Sequence, residues 1–123
     1  SGMQVEADFQ VKTISYPGVY LESILQNLLS NAIKYREPTR SLVVKVSTYL
    51  DHDKTVLRFE DNGKGIDLQK HGHKIFGLYK TFHTHPEAHG VGLFLTKNQI
   101  EALGGSIHVE STPDKGATFT IIF

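Results

Sequence analysis

The sequence predicts an α/β two-layer sandwich, in which a mostly antiparallel mixed sheet of about five strands carries helices packed on one face. Short segments of alternating apolar and polar residues come in pairs that are joined by turn sequences, as in hairpins. Two longer segments carry apolar residues at helical spacing. The 123 residues, 39% hydrophobic and 21% charged, are enough for one globular domain with a core but not for two.

The order of the elements along the chain defines the predicted topology. The predicted strands are residues 9–14, 41–50, 55–61, 106–111 and 117–123. The predicted helices are residues 19–35 and 90–103. Pro17 precedes the first helix, and Gly104-Gly105 ends the second as a C-terminal cap. Residues 51–54 and 112–116 are turn sequences that make hairpins of the strands on either side.

Composition excludes several classes of function. Thirteen basic and thirteen acidic residues balance, so no net charge favours nucleic acid or an anionic membrane as a partner. The absence of cysteine excludes disulfides and thiolate chemistry. No apolar run approaches the ~20 residues of a membrane span, and no direct membrane contact is expected. Residues 1–3 are interpreted as a cloning remnant and residues 4–123 as the domain.

The first predicted helix has two different faces. Its apolar stripe is Leu21, Ile24, Leu25, Leu28, Leu29, Ala32 and Ile33, which recur as in a core-packed helix. Asn27, Asn31 and Lys34 share a second face, since they fall at i, i+4 and i+7. Asparagine inside a helix costs up to about 0.7 kcal/mol relative to alanine, because its amide competes for backbone hydrogen bonds. The second face is either solvated or turned toward a phosphate–metal ligand.

A glycine-rich loop, Asp61-Asn62-Gly63-Lys64-Gly65, follows the third predicted strand. It places a carboxylate acceptor next to backbone that another group can approach closely. Aspartate accepts hydrogen bonds from an exocyclic amine such as that of adenine. A plain tight turn is the alternative interpretation. A calcium loop is excluded, because Gly63 and Gly65 stand where its ligands are needed.

The second predicted helix opens on Gly90-Val91-Gly92. Glycines at this position leave the N–H groups of the first turn free to meet an anion, and the helix dipole favours that charge. The segment lacks the third glycine of a dinucleotide-binding fingerprint, and the chain contains no P-loop sequence.

Three histidines, His83, His85 and His89, stand just before the second helix. A metal site is one interpretation of this cluster. Solvated loop histidines are favoured, because the segment contains a proline and lacks a metal-ligand spacing such as H-E-x-x-H.

In this order, the features resemble the ATP-binding catalytic domain of sensor histidine kinases, in the superfamily shared with Hsp90, DNA gyrase and MutL (the Bergerat fold). The matching segments are LQNLLSNAIKY for the N box, DNGKGI for the first glycine box, IFGLYKTF for the phenylalanine box and HGVGL for the second glycine box. The final twenty residues, GGSIHVESTPDKGATFTIIF, are similar to the closing hairpin of the family. The resemblance covers nearly the whole chain from about Phe9.

The resemblance implies a role for each matching residue. Asn31 would coordinate the Mg²⁺ that bridges the ATP phosphates, Asn27 would support it, and Lys34 would reach a phosphate. Tyr35 would lie near the nucleotide, and Asp61 would accept the adenine amino group. The other residues implied in nucleotide binding shape the base pocket, anchor the lid or meet the phosphates: Gly63, Gly65, Ile66, Phe76, Lys80, Phe82, Gly90, Val91, Gly92 and Leu93.

The resemblance favours phosphoryl transfer over hydrolysis. ATPase branches of the superfamily carry a glutamate one turn before the metal-binding asparagine, where this chain has Asn27, whose amide is no general base. The implied enzyme is a protein-histidine kinase catalytic domain whose acceptor histidine lies on a separate dimerisation domain, with a response regulator downstream. An ATPase, a serine-directed kinase of the same superfamily and a non-catalytic nucleotide-binding module remain alternatives.

Two positions depart from the pattern of the family. Ala88 stands where a glycine often opens the second glycine box, which would lower the flexibility of the lid. Ala117 stands where a hydroxyl often helps to hold a water near adenine.

Residues 83–89 are expected to be mobile without ligand, and the isolated domain is expected to be monomeric and cytoplasmic.

Overall fold

The computed structural model of this chain describes residues 3–65 and 90–123. In these ranges, five strands form one sheet in the order β1-β2-β3-β5-β4, and two helices pack against it. The elements are β1 Gln4–Phe9, α1 Gly18–Lys34, β2 Val43–Asp51, β3 Lys54–Asp61, α2 Gly90–Ala102, β4 Ser106–Ser111 and β5 Ala117–Ile122. The prediction of an α/β sandwich with a mixed five-stranded sheet is confirmed.

The sheet is antiparallel except at one edge. β1 and β2 are parallel, and α1 is the crossover that returns the chain between them. The remaining pairs, β2–β3, β3–β5 and β4–β5, are antiparallel. β1 and β4 are therefore the two edges, and β2, β3 and β5 lie in the interior of the sheet.

The first strand lies earlier than the sequence predicts, at Gln4–Phe9 instead of residues 9–14. All six residues of this edge strand are exposed, so its place is determined by backbone pairing with β2 and not by burial. Gln10 still donates its N–H to the backbone oxygen of Thr48 at 3.0 Å, but at Val11 the Thr48 hydroxyl replaces the backbone as partner. This hydroxyl accepts the N–H of Val11 at 3.2 Å and donates to the Val11 carbonyl oxygen at 2.6 Å.

A two-residue turn joins β2 to β3. Asp51 pairs with Lys54, and the two residues between them have left-handed backbone, with φ of 50° at His52 and 67° at Asp53. Positive φ at both positions is the geometry of a type I′ turn, whose twist matches that of the strands. The hairpin predicted at residues 51–54 is confirmed, with both strands extending further into the turn than predicted.

One hydrophobic core joins the helices to a single face of the sheet. The most deeply buried apolar residues of this core are Ile24, Leu28, Val44, Phe59, Ile100, Phe119 and Ile121. The apolar stripe predicted for α1 is correct at Ile24, Leu28 and Ala32, but Ile33 is 39% exposed. Asn31 is buried instead, at 8% exposure, so the last turns of α1 bury Asn31 in place of Ile33. No described helix is long and apolar enough to cross a membrane.

Leu28→Ala is expected to lower the free energy of unfolding by about 2–5 kcal/mol, because it leaves a cavity in the core. Leu28 is 1% exposed, whereas Val19 on the same helix is 76% exposed. Val19→Ala is the matched control, with an expected change within about 0.5 kcal/mol. Urea denaturation of both variants measures the difference. Equal midpoints would show that the face of α1 is assigned wrongly.

Candidate functional site

The two helices run in opposite directions. α1 returns the chain between the parallel strands β1 and β2 and therefore runs against both. α2 enters β4 through a tight turn at Gly104, where φ is 89°, and β4 runs opposite to β2. The C-terminal end of α1 consequently lies beside the N-terminal end of α2.

A hydrogen bond fixes the alignment of the two helices. The side-chain amide of Asn27 donates to the hydroxyl of Thr96 at 2.9 Å. Asn31 lies one turn further along α1, and Gly92 lies one turn back along α2. Because the helices are antiparallel, this bond brings Asn31 next to the Gly-x-Gly turn that opens α2.

The two asparagines have different surroundings although they share a helix face. Asn27 is paired with Thr96, as described above. Within the described residues, the Asn31 side chain makes no hydrogen bond, although the residue is only 8% exposed. Asn31 therefore has unused polar atoms at the junction of the helices.

The end of α1 is tied to the glycine-rich loop. The backbone oxygen of Tyr35 accepts the N–H of Lys64 at 2.9 Å. A Cβ added to Gly63 would lie only 2.7 Å from that same oxygen, so only glycine fits there. Lys34 is half-buried in the last turn of the helix. The next residue, Tyr35, is also partly buried, and this burial raises the pKa of its hydroxyl.

The Asp61 carboxyl group ends β3 in a partly desolvated position. Burial raises its pKa, and this effect exceeds the opposing effect of hydrogen bonds from the N–H groups of Gly63 and Ala117. The bond from Gly63 to Oδ1 is 2.8 Å long. Asp61 is thus a fixed acceptor in an environment that disfavours its charge.

Two further glycines let backbone segments meet around this loop. A Cβ at Gly65, where φ is 74°, would overlap the carbonyl oxygen of Thr112. A Cβ at Gly116, where φ is 85°, would overlap the carbonyl oxygen of Asp61. The loop and the β4–β5 turn therefore contact each other directly through backbone atoms.

Arg40 stabilises this contact. Its guanidinium donates to the backbone oxygens of Asn62 at 2.8 Å, Gly63 at 2.8 Å and Asp114 at 2.9 Å. The Asn62 side chain adds two bonds to the start of β2, accepting the N–H of Val43 at 2.8 Å and donating to the oxygen of Ser41 at 2.9 Å. Sequence analysis missed Arg40, because its partners are backbone atoms in two distant loops that no local pattern reveals.

The remaining predicted site residues divide into two groups. Gly90, Val91 and Gly92 form the first turn of α2, and Leu93 is buried in the core at 4% exposure. The residues that lie outside the described ranges are Ile66, Phe76, Lys80, Phe82, His83, His85, Ala88 and His89. Within those ranges, no group of three potential metal-ligating side chains occurs.

This arrangement of sheet, antiparallel helices, half-buried aspartate and Gly-x-Gly turn is that of an ATP-binding catalytic domain. A family model described as histidine kinase-, DNA gyrase B- and HSP90-like ATPase matches residues 18–123, and the chain belongs to this family. It is a catalytic domain of the histidine-kinase type, as the sequence motifs indicate.

Sensor kinases are among the similar proteins. Cyanobacterial phytochrome A of Nostoc is 37% identical over 87% of this chain and 14% of its own length. Sensor protein BceS of Halalkalibacterium halodurans is 35% identical over 99% of this chain and 36% of its own. The signal transduction histidine-protein kinase AtoS of Escherichia coli is 34% identical over 99% of this chain and 20% of its own. The chain therefore spans only a minor part of these relatives.

Solved structures show the same fold. The mycobacterial sensor histidine kinase MprB superposes with a TM-score of 0.79 at 23% identity, covering 98% of this chain and 80% of the other. The catalytic domain of histidine kinase ThkA gives a TM-score of 0.80 at 21% identity, covering 98% and 78%.

Arg40→Met is expected to lower the free energy of unfolding by about 1–3 kcal/mol, since it removes three hydrogen bonds to backbone oxygens. Arg40→Lys should recover only part of this loss, because an ammonium group lacks the fixed fork of the guanidinium. Arg58→Met is the control, since Arg58 makes only a 3.6 Å surface ion pair with Glu60. Urea denaturation measures all three. If Arg40→Met and Arg58→Met are equally stable, Arg40 does not hold the loop.

Asp61→Asn is expected to raise the stability of the domain at pH 7. A raised pKa means that the folded state binds more protons than the unfolded chain above the usual pKa of the carboxyl, so the stability contributed by Asp61 is lost as pH rises through its folded pKa. Asparagine keeps an acceptor for the Gly63 and Ala117 amides and carries no charge.

Urea denaturation between pH 4 and pH 8 measures this difference. The wild type should lose stability relative to Asp61→Asn as pH rises, and the exposed Asp8→Asn should follow the wild type within about 0.5 kcal/mol. A variant less stable than wild type at pH 7 would show that the charged form of Asp61 is favoured by its hydrogen bonds.

Proposed function

We propose that this domain binds ATP with Mg²⁺ and supplies the γ-phosphate to a histidine on a separate dimerisation domain of a two-component sensor kinase. The observation that carries the proposal is Asn31, an amide that is 8% exposed, makes no side-chain hydrogen bond within the described residues, and lies beside the Gly-x-Gly turn. Amide oxygens are suitable ligands for Mg²⁺. Bound Mg²⁺ would neutralise charge on the phosphates.

The other residues of the site bind different parts of the nucleotide. Asp61 accepts a hydrogen bond from the adenine amino group at the end of β3, and the glycine-rich loop shapes the base pocket. Lys34 reaches a phosphate from the last turn of α1. The N–H groups of Gly90 and Gly92 meet the phosphates at the N-terminus of α2, where the helix dipole favours negative charge.

Transfer is favoured over hydrolysis by the chemistry of Asn27. Hydrolysis requires a group that orients and activates a water, and an amide accepts no proton from it. The amide nitrogen of Asn27 is also directed at Thr96, which gives the side chain a structural partner. The family description includes ATPases, so ATP hydrolysis is the second candidate function.

The wider setting follows from the same proposal. The acceptor histidine belongs to a dimerisation domain of the parent protein, and a response regulator receives the phosphoryl group afterwards. The isolated domain is a cytoplasmic monomer that contacts neither nucleic acid nor membrane. AtoS and MprB, whose names describe histidine kinases, support this setting by analogy.

Calorimetric titration with ATP in Mg²⁺ and in EDTA tests the proposal. Wild type should bind more tightly with Mg²⁺, and Asn31→Ala should lose about tenfold in affinity only when Mg²⁺ is present. The control is Asn98→Ala on the exposed side of α2, with unchanged affinity. Equal binding by Asn31→Ala and wild type would contradict the role of Asn31.

Labelled ATP separates transfer from hydrolysis. The isolated domain should release little phosphate and form no acid-labile phosphohistidine on itself, because the acceptor lies elsewhere. Sustained turnover of ATP by the domain alone would establish the second candidate function instead.

A further inference from the structure

Thr96 is a buried polar residue with a specific partner on the other helix. It is 0% exposed, and its hydroxyl accepts the Asn27 amide at 2.9 Å across 69 residues of sequence. Valine has nearly the same shape as threonine and would fill this core position without a polar atom. Threonine therefore differs from valine at this position mainly in its ability to form hydrogen bonds such as the one with Asn27.

The position of the bond relates it to the nucleotide site. Asn31 and Gly92 each lie one helical turn, about 6 Å, from the bonded pair, on the same side of it because the helices are antiparallel. The Asn27–Thr96 bond thus joins the helices one turn away from both Asn31 and the first turn of α2.

We propose that Thr96 is a positioning residue that acts through Asn27 to hold Asn31 and the Gly-x-Gly turn at the spacing that a metal-bound polyphosphate requires. The proposal rests on the proposed function of the site. Thr96 itself touches no ligand. The phosphate half of the site comprises Asn31 and the Gly-x-Gly turn, and the base half is the part around Asp61. The effect of Thr96 falls on the phosphate half, because Asp61 belongs to the sheet and is held by separate contacts.

A merely structural bond would behave differently. If the Asn27–Thr96 bond only stabilised the core, its loss would lower stability and leave the relative affinities of the two halves of the nucleotide unchanged. A positioning bond changes their ratio. Two probes separate these cases: ADP with Mg²⁺, which uses both halves of the site, and adenosine, which uses the base half alone.

The experiment compares Thr96→Val, which removes the hydroxyl, with Thr96→Ser, which keeps it. Calorimetry should show about a tenfold loss of affinity for ADP with Mg²⁺ in Thr96→Val and less than about a twofold loss for adenosine. Thr96→Ser should restore the wild-type ratio. Ile100→Val is the matched control, since Ile100 is also 0% exposed on α2 and its truncation disturbs the core without affecting a polar group.

Nuclear magnetic resonance gives a second readout without ligand. The side-chain amide signals of Asn31 should shift in Thr96→Val and stay in place in Thr96→Ser and Ile100→Val. If Thr96→Val does not fold, Thr96→Ala is measured in the same way against Ile100→Val.

The outcomes are distinguishable. Wild type that binds ADP with Mg²⁺, together with a Thr96→Val that binds both probes like wild type or loses both equally, would overturn this inference alone. Wild type that does not bind ADP with Mg²⁺ would overturn the proposed function and the inference with it.

Discussion

The close approach of three backbone segments around the glycine-rich loop is the constraint on which the rest of the site depends. The loop lies between the end of α1 and the β4–β5 turn, and at Gly63, Gly65 and Gly116 there is no space for a Cβ. Arg40 then binds carbonyl oxygens on both sides of this junction. As a result, Asp61 is held as an acceptor at the end of β3, although burial disfavours its charged form.

A second constraint acts between the helices, and it separates two residues that look equivalent in the sequence. Asn27 and Asn31 are the same residue type one turn apart on α1. Asn27 uses its amide nitrogen to bind Thr96, whereas Asn31 has no side-chain partner within the described residues. Asn27 joins the two helices, and Asn31 is the residue that we propose as a ligand for Mg²⁺.

Local periodicity predicts most of this fold, because α1, β2, β4 and β5 bury mainly one face each and so carry a pattern. β1 lies elsewhere than predicted because an exposed edge strand is placed by backbone pairing, which leaves no apolar signal. The motif residues of the proposed site are named from the sequence through the resemblance to the family. Arg40 and Thr96 are not, since each acts through a partner far away in the chain and Arg40 binds only backbone atoms.

The Arg40 contact also has a consequence for folding. It joins residues 74 positions apart, Arg40 and Asp114, whereas the β2–β3 hairpin closes through a two-residue turn. Contacts of short sequence separation form early, and those that close long loops form late. The β2–β3 hairpin can therefore assemble before the glycine-rich loop is held in place. A chain that lost its final hairpin would lose Phe119 and Ile121 from the core, together with the backbone that Gly65 and Asp61 contact.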